Sequence, residues 1–295
     1  MTSDHRPLPD AALGRRIGAL ADTPEQALVA LRDAGCTGAT PAARLRAIGR
    51  GIAGALADGS PATALWLALR FAAEPDRDAR VCAIAALGRS LATDPERSWQ
   101  LLRRLGRTAD DPVVADALAL PMARGVLAER FRRAELEQLA FSDRACERAL
   151  IGRTVARMPG ALPRAARGHW DVRPALDLMG PVVGDADADV AATIARAWRA
   201  LARVDAAAVA ARLAAEAETA ARTADGARAT TIRAALPALP AAEAAAIRTR
   251  LGGLRRLPGA PGTSSAAAIA RQFGFAHLAD GAVSRQGERY DGGRR

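Results

Sequence analysis

Six stretches of this chain carry a pair of marked residues four apart near the start of a helix-like segment: Arg44/Ile48, Arg80/Ile84, Val114/Leu118, Cys146/Leu150, Val190/Ile194 and Arg228/Ile232. Their first members follow one another at intervals of 36, 34, 32, 44 and 38 residues. A recurrence of this length is that of a two-helix unit. Such a unit cannot bury its own apolar stripe, so neighbouring units must stack on one another. The spacing therefore predicts an all-α chain, an open α-solenoid of about six helical pairs. Composition agrees where it bears on this: half of the residues are hydrophobic, chiefly Ala and Leu, and only 3% are aromatic, which favours helix over strand.

The punctuation inside a unit follows the same plan. Residues 61–74 read as a first helix, Glu74-Pro75-Asp76 as a turn, and 78–91 as a second helix opened by an Asp cap. Later units are expected at 94–107 with 110–127, 134–141 with 142–158, 172–183 with 187–204, and 206–221 with 225–236. Pro121 lies inside one of these helices and is expected to kink or shorten it. Residues 1–257 then form the solenoid. Beyond them the text becomes Pro-Gly-Ala-Pro-Gly-Thr-Ser-Ser, so 258–295 is expected to be a basic, disordered tail apart from a short helix over 265–273.

The chain has a formal net charge of +10, and every basic residue is Arg. The guanidinium fork suits phosphate. More than half of the excess sits from Arg248 onward, so the folded part is mildly basic and the expected partner is an anionic one. Cys36, Cys82 and Cys146 are odd in number and far apart, which argues against disulfides and a zinc site. Nowhere do eighteen apolar residues run without a charge, and the N-terminus lacks a signal pattern, so no membrane association and a cytoplasmic location are expected. Asp185-Ala-Asp-Ala-Asp189 has the opening of a calcium loop but Val190 and Arg196 at the sixth and twelfth positions, and reads as a turn and helix start. With no phosphate-cradling Gly loop and no Gly-x-Ser-x-Gly or His-Glu-x-x-His, neither a cofactor nor a metal is expected.

Four stretches, in order, resemble the HEAT-like-repeat DNA alkylation repair glycosylases. They are Gly38-Ala-Thr-Pro41 with Arg44-Leu-Arg-Ala-Ile-Gly-Arg50; Ala109-Asp-Asp-Pro-Val-Val-Ala-Asp116; Ser142-Asp-Arg-Ala-Cys-Glu-Arg148; and Ile194-Ala-Arg-Ala-Trp-Arg199 leading to Arg203-Val-Asp-Ala-Ala-Ala-Val209. The resemblance covers roughly residues 36 to 215. It implies a right-handed solenoid of HEAT-like repeats, duplex DNA held in the concave face, Asp116 at the catalytic carboxylate position and Arg148 at a DNA-contacting position. The family's aromatic slots hold Pro112, Cys146 and Arg196 here. Trp198 lies about 200° round the helix from position 196 and does not replace that aromatic.

The substrate so implied is an N3- or N7-alkylated purine. Its base already carries positive charge, so the difficult feature is the cationic sugar, which a nearby carboxylate stabilises while orienting water. Asp116 is the candidate, with an inter-repeat carboxylate paired to Arg as its other reading. Arg144 shares a helix face with Arg148, and Arg196, Arg199 and Arg203 form an i, i+3, i+7 stripe; these five are the candidate phosphate contacts, or else solvated faces. Trp66, Trp99 and Trp198 read as core, whereas Trp170, in the polar run 167–173, reads as an exposed contact or a repeat-edge cap. His5 and His277 are isolated and carry no role. The alternative to DNA binding is a non-catalytic HEAT-repeat scaffold that holds a protein or peptide in its groove.

Overall fold

The computed structural model describes residues 9–256, and among these the only regular structure is helical. Fourteen α-helices follow one another: α1 Asp10–Ala19, α2 Pro24–Asp33, α3 Ala42–Ala55, α4 Pro61–Ala72, α5 Arg77–Ser90, α6 Pro95–Arg107, α7 Pro112–Ala128, α8 Phe131–Glu137, α9 Ala145–Ala161, α10 Arg173–Met179, α11 Ala188–Ala202, α12 Ala206–Thr223, α13 Gly226–Ala235 and α14 Ala241–Arg250. Residues 258–295, including the expected helix over 265–273, lie outside the described residues.

Within the pairs, α4 packs on α5, α6 on α7 and α12 on α13, and most helices also pack on the helix two places away. The odd-numbered helices, from α1 to α13, form one continuous layer. In the even-numbered layer α2 meets α4, α4 meets α6, α8 meets α10, α10 meets α12 and α12 meets α14. The odd layer is packed more closely over most of its length, which leaves the even layer more open. The repeat alignment is reflected in the core: Ile48, Leu118, Leu150, Ile194 and Ile232 have no exposed surface and Ile84 almost none. Their partners four residues earlier are mixed. Val114, Val190 and Arg228 are buried, Arg228 paired with Glu216 of α12 and with Asp225 (3.2 Å), while Arg44 and Arg80 reach back to the preceding turn, Arg44 to the Ala34 carbonyl (3.0 Å) and Arg80 to that of Glu74 (3.2 Å).

Aspartates start the helices. Asp76, Asp94, Asp111, Asp187, Asp205 and Asp225 each accept an amide N–H in the first turn of α5, α6, α7, α11, α12 and α13, an arrangement worth about 1 kcal/mol per helix. The expected cap at Asp78 is corrected to Asp76. Asp78 is fully buried because its carboxylate turns back onto the preceding loop, accepting N–H from Gly38 (3.0 Å) and Thr40 (3.2 Å). Pro121 does not shorten its helix, since α7 continues to Ala128. Ion pairs spaced one repeat apart tie units together: Arg44 to Asp10, Arg148 to Asp185 and Arg212 to Asp177 join residues 34, 37 and 35 positions apart.

Of the expected core tryptophans, Trp99 and Trp198 are buried. Trp66 is corrected: it is 53% exposed, because α4 turns Ala64, Leu67, Ala68 and Phe71 inward and leaves Trp66 on its outer flank. Trp170 is half-buried against the core.

One close approach sets the geometry of the middle repeats. A Cβ at Gly152 in α9 would lie 2.6 Å from the Thr193 carbonyl carbon and 2.8 Å from the Ile194 nitrogen of α11, so only glycine lets these two backbones meet. Gly152→Ala is expected to force the helices apart and to cost about 1–3 kcal/mol, read as a lower urea midpoint with an unchanged slope. An unaltered midpoint would show that the contact is relaxed in solution.

Candidate nucleic-acid interface

The consequence of this packing is that α7, α9 and α11 place short side chains side by side. Ala119, Ala156 and Ala200 leave a cleft of about 410 Å³ on the odd layer. Asp116 lines it from α7, Arg153 and Arg157 from α9, and Arg196, Arg199 and Arg203 from α11 and its C-terminal end. Five guanidinium groups and one carboxylate thus share one cavity.

The deepest of these is Arg153, whose side chain is 7% exposed. It bridges two helices. One terminal nitrogen donates to Asp116 Oδ1, and the other donates to both carboxylate oxygens of Asp189, at 3.0 and 2.8 Å. The acids are themselves open to solvent, 51% for Asp116 and 56% for Asp189. Burial alone would pull the Arg153 pKa down, but hydrogen bonding to Asp189 and the charges of Asp189 and Asp116 more than offset it and hold the group above its ordinary value. Its charge is therefore fixed. Asp116 thus lines the cleft with one carboxylate oxygen paired to Arg153.

Around this fixed group stand cations without internal partners. Arg157, Arg196 and Arg203 are exposed and make no ion pair or side-chain hydrogen bond among the described residues; Arg199 donates to the Ala234 carbonyl at 3.1 Å. Further along the odd layer Arg46 and Arg50 on α3 and Arg124 on α7 are exposed and unpartnered in the same way. Free guanidinium groups in a row are what a polyanion backbone requires.

The structure thus brings together four of the six residues singled out from the sequence: Asp116, Arg196, Arg199 and Arg203. Arg144 and Arg148 lie elsewhere, at the start of α9. Arg148 forms a fork with Asp185 (2.7 and 3.2 Å) and donates to the carbonyls of Ser142 and Asp143, both at 2.9 Å, while Arg144 donates to the Arg107 carbonyl. The Arg148 guanidinium is committed to the turn before α9, while the exposed Arg144 ties the start of α9 to the end of α6. The arginine that meets Asp116 is Arg153, five residues on and so about 140° round the helix from Arg148.

Arg153 and Arg157 were not among the sequence candidates. Arg153 had a signal. Seven residues after the first marked residue of each repeat stand Gly51, Leu87, Pro121, Ala197 and Ala235, all buried, and Arg153 alone is charged at that position. A lone arginine in an apolar register needs carboxylates opposite it. No such signal distinguishes Arg157. No aromatic side chain lines the cleft: Pro112 is the first residue of α7, Cys146 is half-buried near the start of α9, and Trp198 is packed in the core. Asp185, Asp187 and Asp189 serve as partner of Arg148, cap of α11 and partner of Arg153, and among the described residues no group of three His, Cys, Asp or Glu side chains is placed to hold a metal ion. No described helix is long and apolar enough to cross a membrane.

The odd layer is thus a stack of helices that presents one carboxylate within a row of arginines. The chain belongs to the DNA alkylation repair enzyme family, whose model matches residues 39–227, more than half of its length and all of α7, α9 and α11. Neither the curated proteins nor the solved structures contain a match to it.

Proposed function

We propose that this chain binds duplex DNA along its odd-numbered layer and hydrolyses the N-glycosidic bond of an alkylated purine, with Asp116 as the carboxylate at the sugar. In this reading the helices form a right-handed solenoid of about six HEAT-like pairs, α2–α3 through α12–α13, flanked by α1 and α14. The odd layer, the more closely packed of the two, is taken as the concave side. The observation that carries the proposal is the cleft itself, a half-exposed Asp116 paired with Arg153 and flanked by Arg157, Arg196 and Arg203, which have no internal partners among the described residues. Phosphates would be met by Arg157, Arg196, Arg199 and Arg203, with Arg148 holding the turn before α9 and Arg144 tying α9 to the end of α6.

Asp116 would act without proton transfer to the base. An alkylated purine is already cationic and leaves as a neutral base, while the sugar it leaves behind gathers positive charge. A carboxylate pinned on one side by Arg153 pays little reorganisation to face that charge and to orient the attacking water. The scaffold reading places a peptide in the same groove. Five arginines, with only alanines between them and no large apolar side chain, suit a phosphate backbone better than a peptide.

The test is the salt dependence of duplex binding. Each phosphate contact contributes a slope of about one in a plot of log affinity against log salt. Arg196→Ala, Arg199→Ala and Arg203→Ala together are expected to lower the slope by about three and the affinity in low salt about a hundredfold. An affinity indifferent to salt, or a triple variant with the wild-type slope, would sink the proposal.

A further inference from the structure

On the opposite layer, α4 and α6 meet only loosely and leave a groove of about 850 Å³. Its floor is apolar, made by Leu65 and Leu69 of α4 and Leu101 of α6. Leu69 is 43% exposed, and Trp66 beside it on the same flank of α4 is exposed as well. Large apolar side chains left open on a folded surface mark a place of contact. The α6 wall is polar in register: Arg97, Gln100, Arg104 and Arg107 follow at spacings of three and four and so line one helix face over about 15 Å. Gln100 binds Glu96 and Arg103 is taken by Glu135, but the Arg104 and Arg107 guanidiniums have no partner among the described residues.

We infer that this groove docks an acidic amphipathic helix of a partner protein, its apolar residues on Leu65, Leu69 and Leu101 and its carboxylates against Arg104 and Arg107. The shape is that of a helix-in-groove site, an apolar trough with a charged wall along one edge. Charge decides among occupants. The chain's own C-terminal residues hold nine Arg against three acids from Arg248 onward and carry the wrong sign. A second copy joined about a twofold axis would set this arginine wall against itself. Nucleic acid gains nothing from the leucine floor. The groove lies on the other layer from the Asp116 cleft, so the inference stands or falls independently of the proposed activity.

The experiment uses two fluorescein-labelled helical peptides of about fourteen residues, alike in carrying Leu at i, i+3, i+4 and i+7 and differing in Glu or Lys at the remaining charged positions. Anisotropy titrations are run with the full chain, with Leu69→Glu, and with Arg104→Glu/Arg107→Glu, each checked by circular dichroism. The Glu peptide is expected to bind wild type and to lose about tenfold or more in either variant. The Lys peptide is expected to bind only the Arg104→Glu/Arg107→Glu protein, a gain that misfolding cannot produce. Equal binding of both peptides, no binding of the Glu peptide, or affinities unmoved by the variants would overturn the inference. So would a wild-type dimer in sedimentation that Leu69→Glu dissolves, since it would give the groove to a second copy.

Discussion

Under single-turnover conditions the protein is expected to release the base from duplex DNA containing N7-methylguanine, and Asp116→Asn to slow that release about a hundredfold or more while leaving duplex affinity within about twofold. The magnitude is that of removing one preorganised electrostatic group from a developing charge. The binding side follows from geometry: Asp116 carries the sign that repels phosphate, so affinity is supplied by the arginines around it. The asparagine variant should also stay folded, because Arg153 retains both hydrogen bonds to Asp189. Loss of release together with loss of binding would point to a disturbed cleft. No release by wild type, with salt-sensitive binding intact, would mean that the carboxylate does not act on this lesion.

Removing both acids is a different matter. Asp116→Ala combined with Asp189→Ala is expected to cost about 3 kcal/mol in urea unfolding, against about 1 kcal/mol or less for either change alone. The asymmetry comes from burial. Each carboxylate is half in water and loses little by being released, whereas Arg153 is almost wholly enclosed, its Nε already without an acceptor, and would be left charged with no partner. The two single effects therefore do not add. Adding Arg153→Met to the double variant should recover most of the loss by exchanging an unpaired buried charge for an apolar chain of similar reach. A double variant no less stable than the sum of its singles would show that solvent reaches Arg153 freely.

The helices were legible in the sequence because their signals are local. Aspartate before a Pro or an apolar run marks the start of α6, α7, α11, α12 and α13, and apolar residues four apart mark the buried stripe, so Ile48, Leu118, Leu150, Ile194 and Ile232 fall in the core as the spacing requires. Where two local signals compete the text is ambiguous. Asp76 and Asp78 both suit a cap, and only the loop amides of Gly38 and Thr40, folded over from the preceding unit, draw Asp78 away. Trp66 departs from its expected core position for a related reason. On a helix with apolar residues on most sides, periodicity does not say which flank the neighbouring helix covers.

The site divides along the same line. Asp116 and the stripe Arg196, Arg199 and Arg203 stand in the sequence as an acid and a helical ladder, and their chemistry can be read there. That they share one cavity is decided by contacts between repeats: glycine at position 152, which lets α9 and α11 touch, and the alanines that leave space between α7, α9 and α11. Arg148 and Arg153 are only five residues apart, yet one seals a turn and the other holds the carboxylate. The chain by itself determined the helices, their stacking period and the cationic character of the protein, since these depend on spacing and composition. Which arginine meets Asp116, and which remain free to meet an anion, was decided by tertiary structure, because a guanidinium is committed by the carboxylates and carbonyls within about 3 Å of it, and here those belong to helices one repeat away.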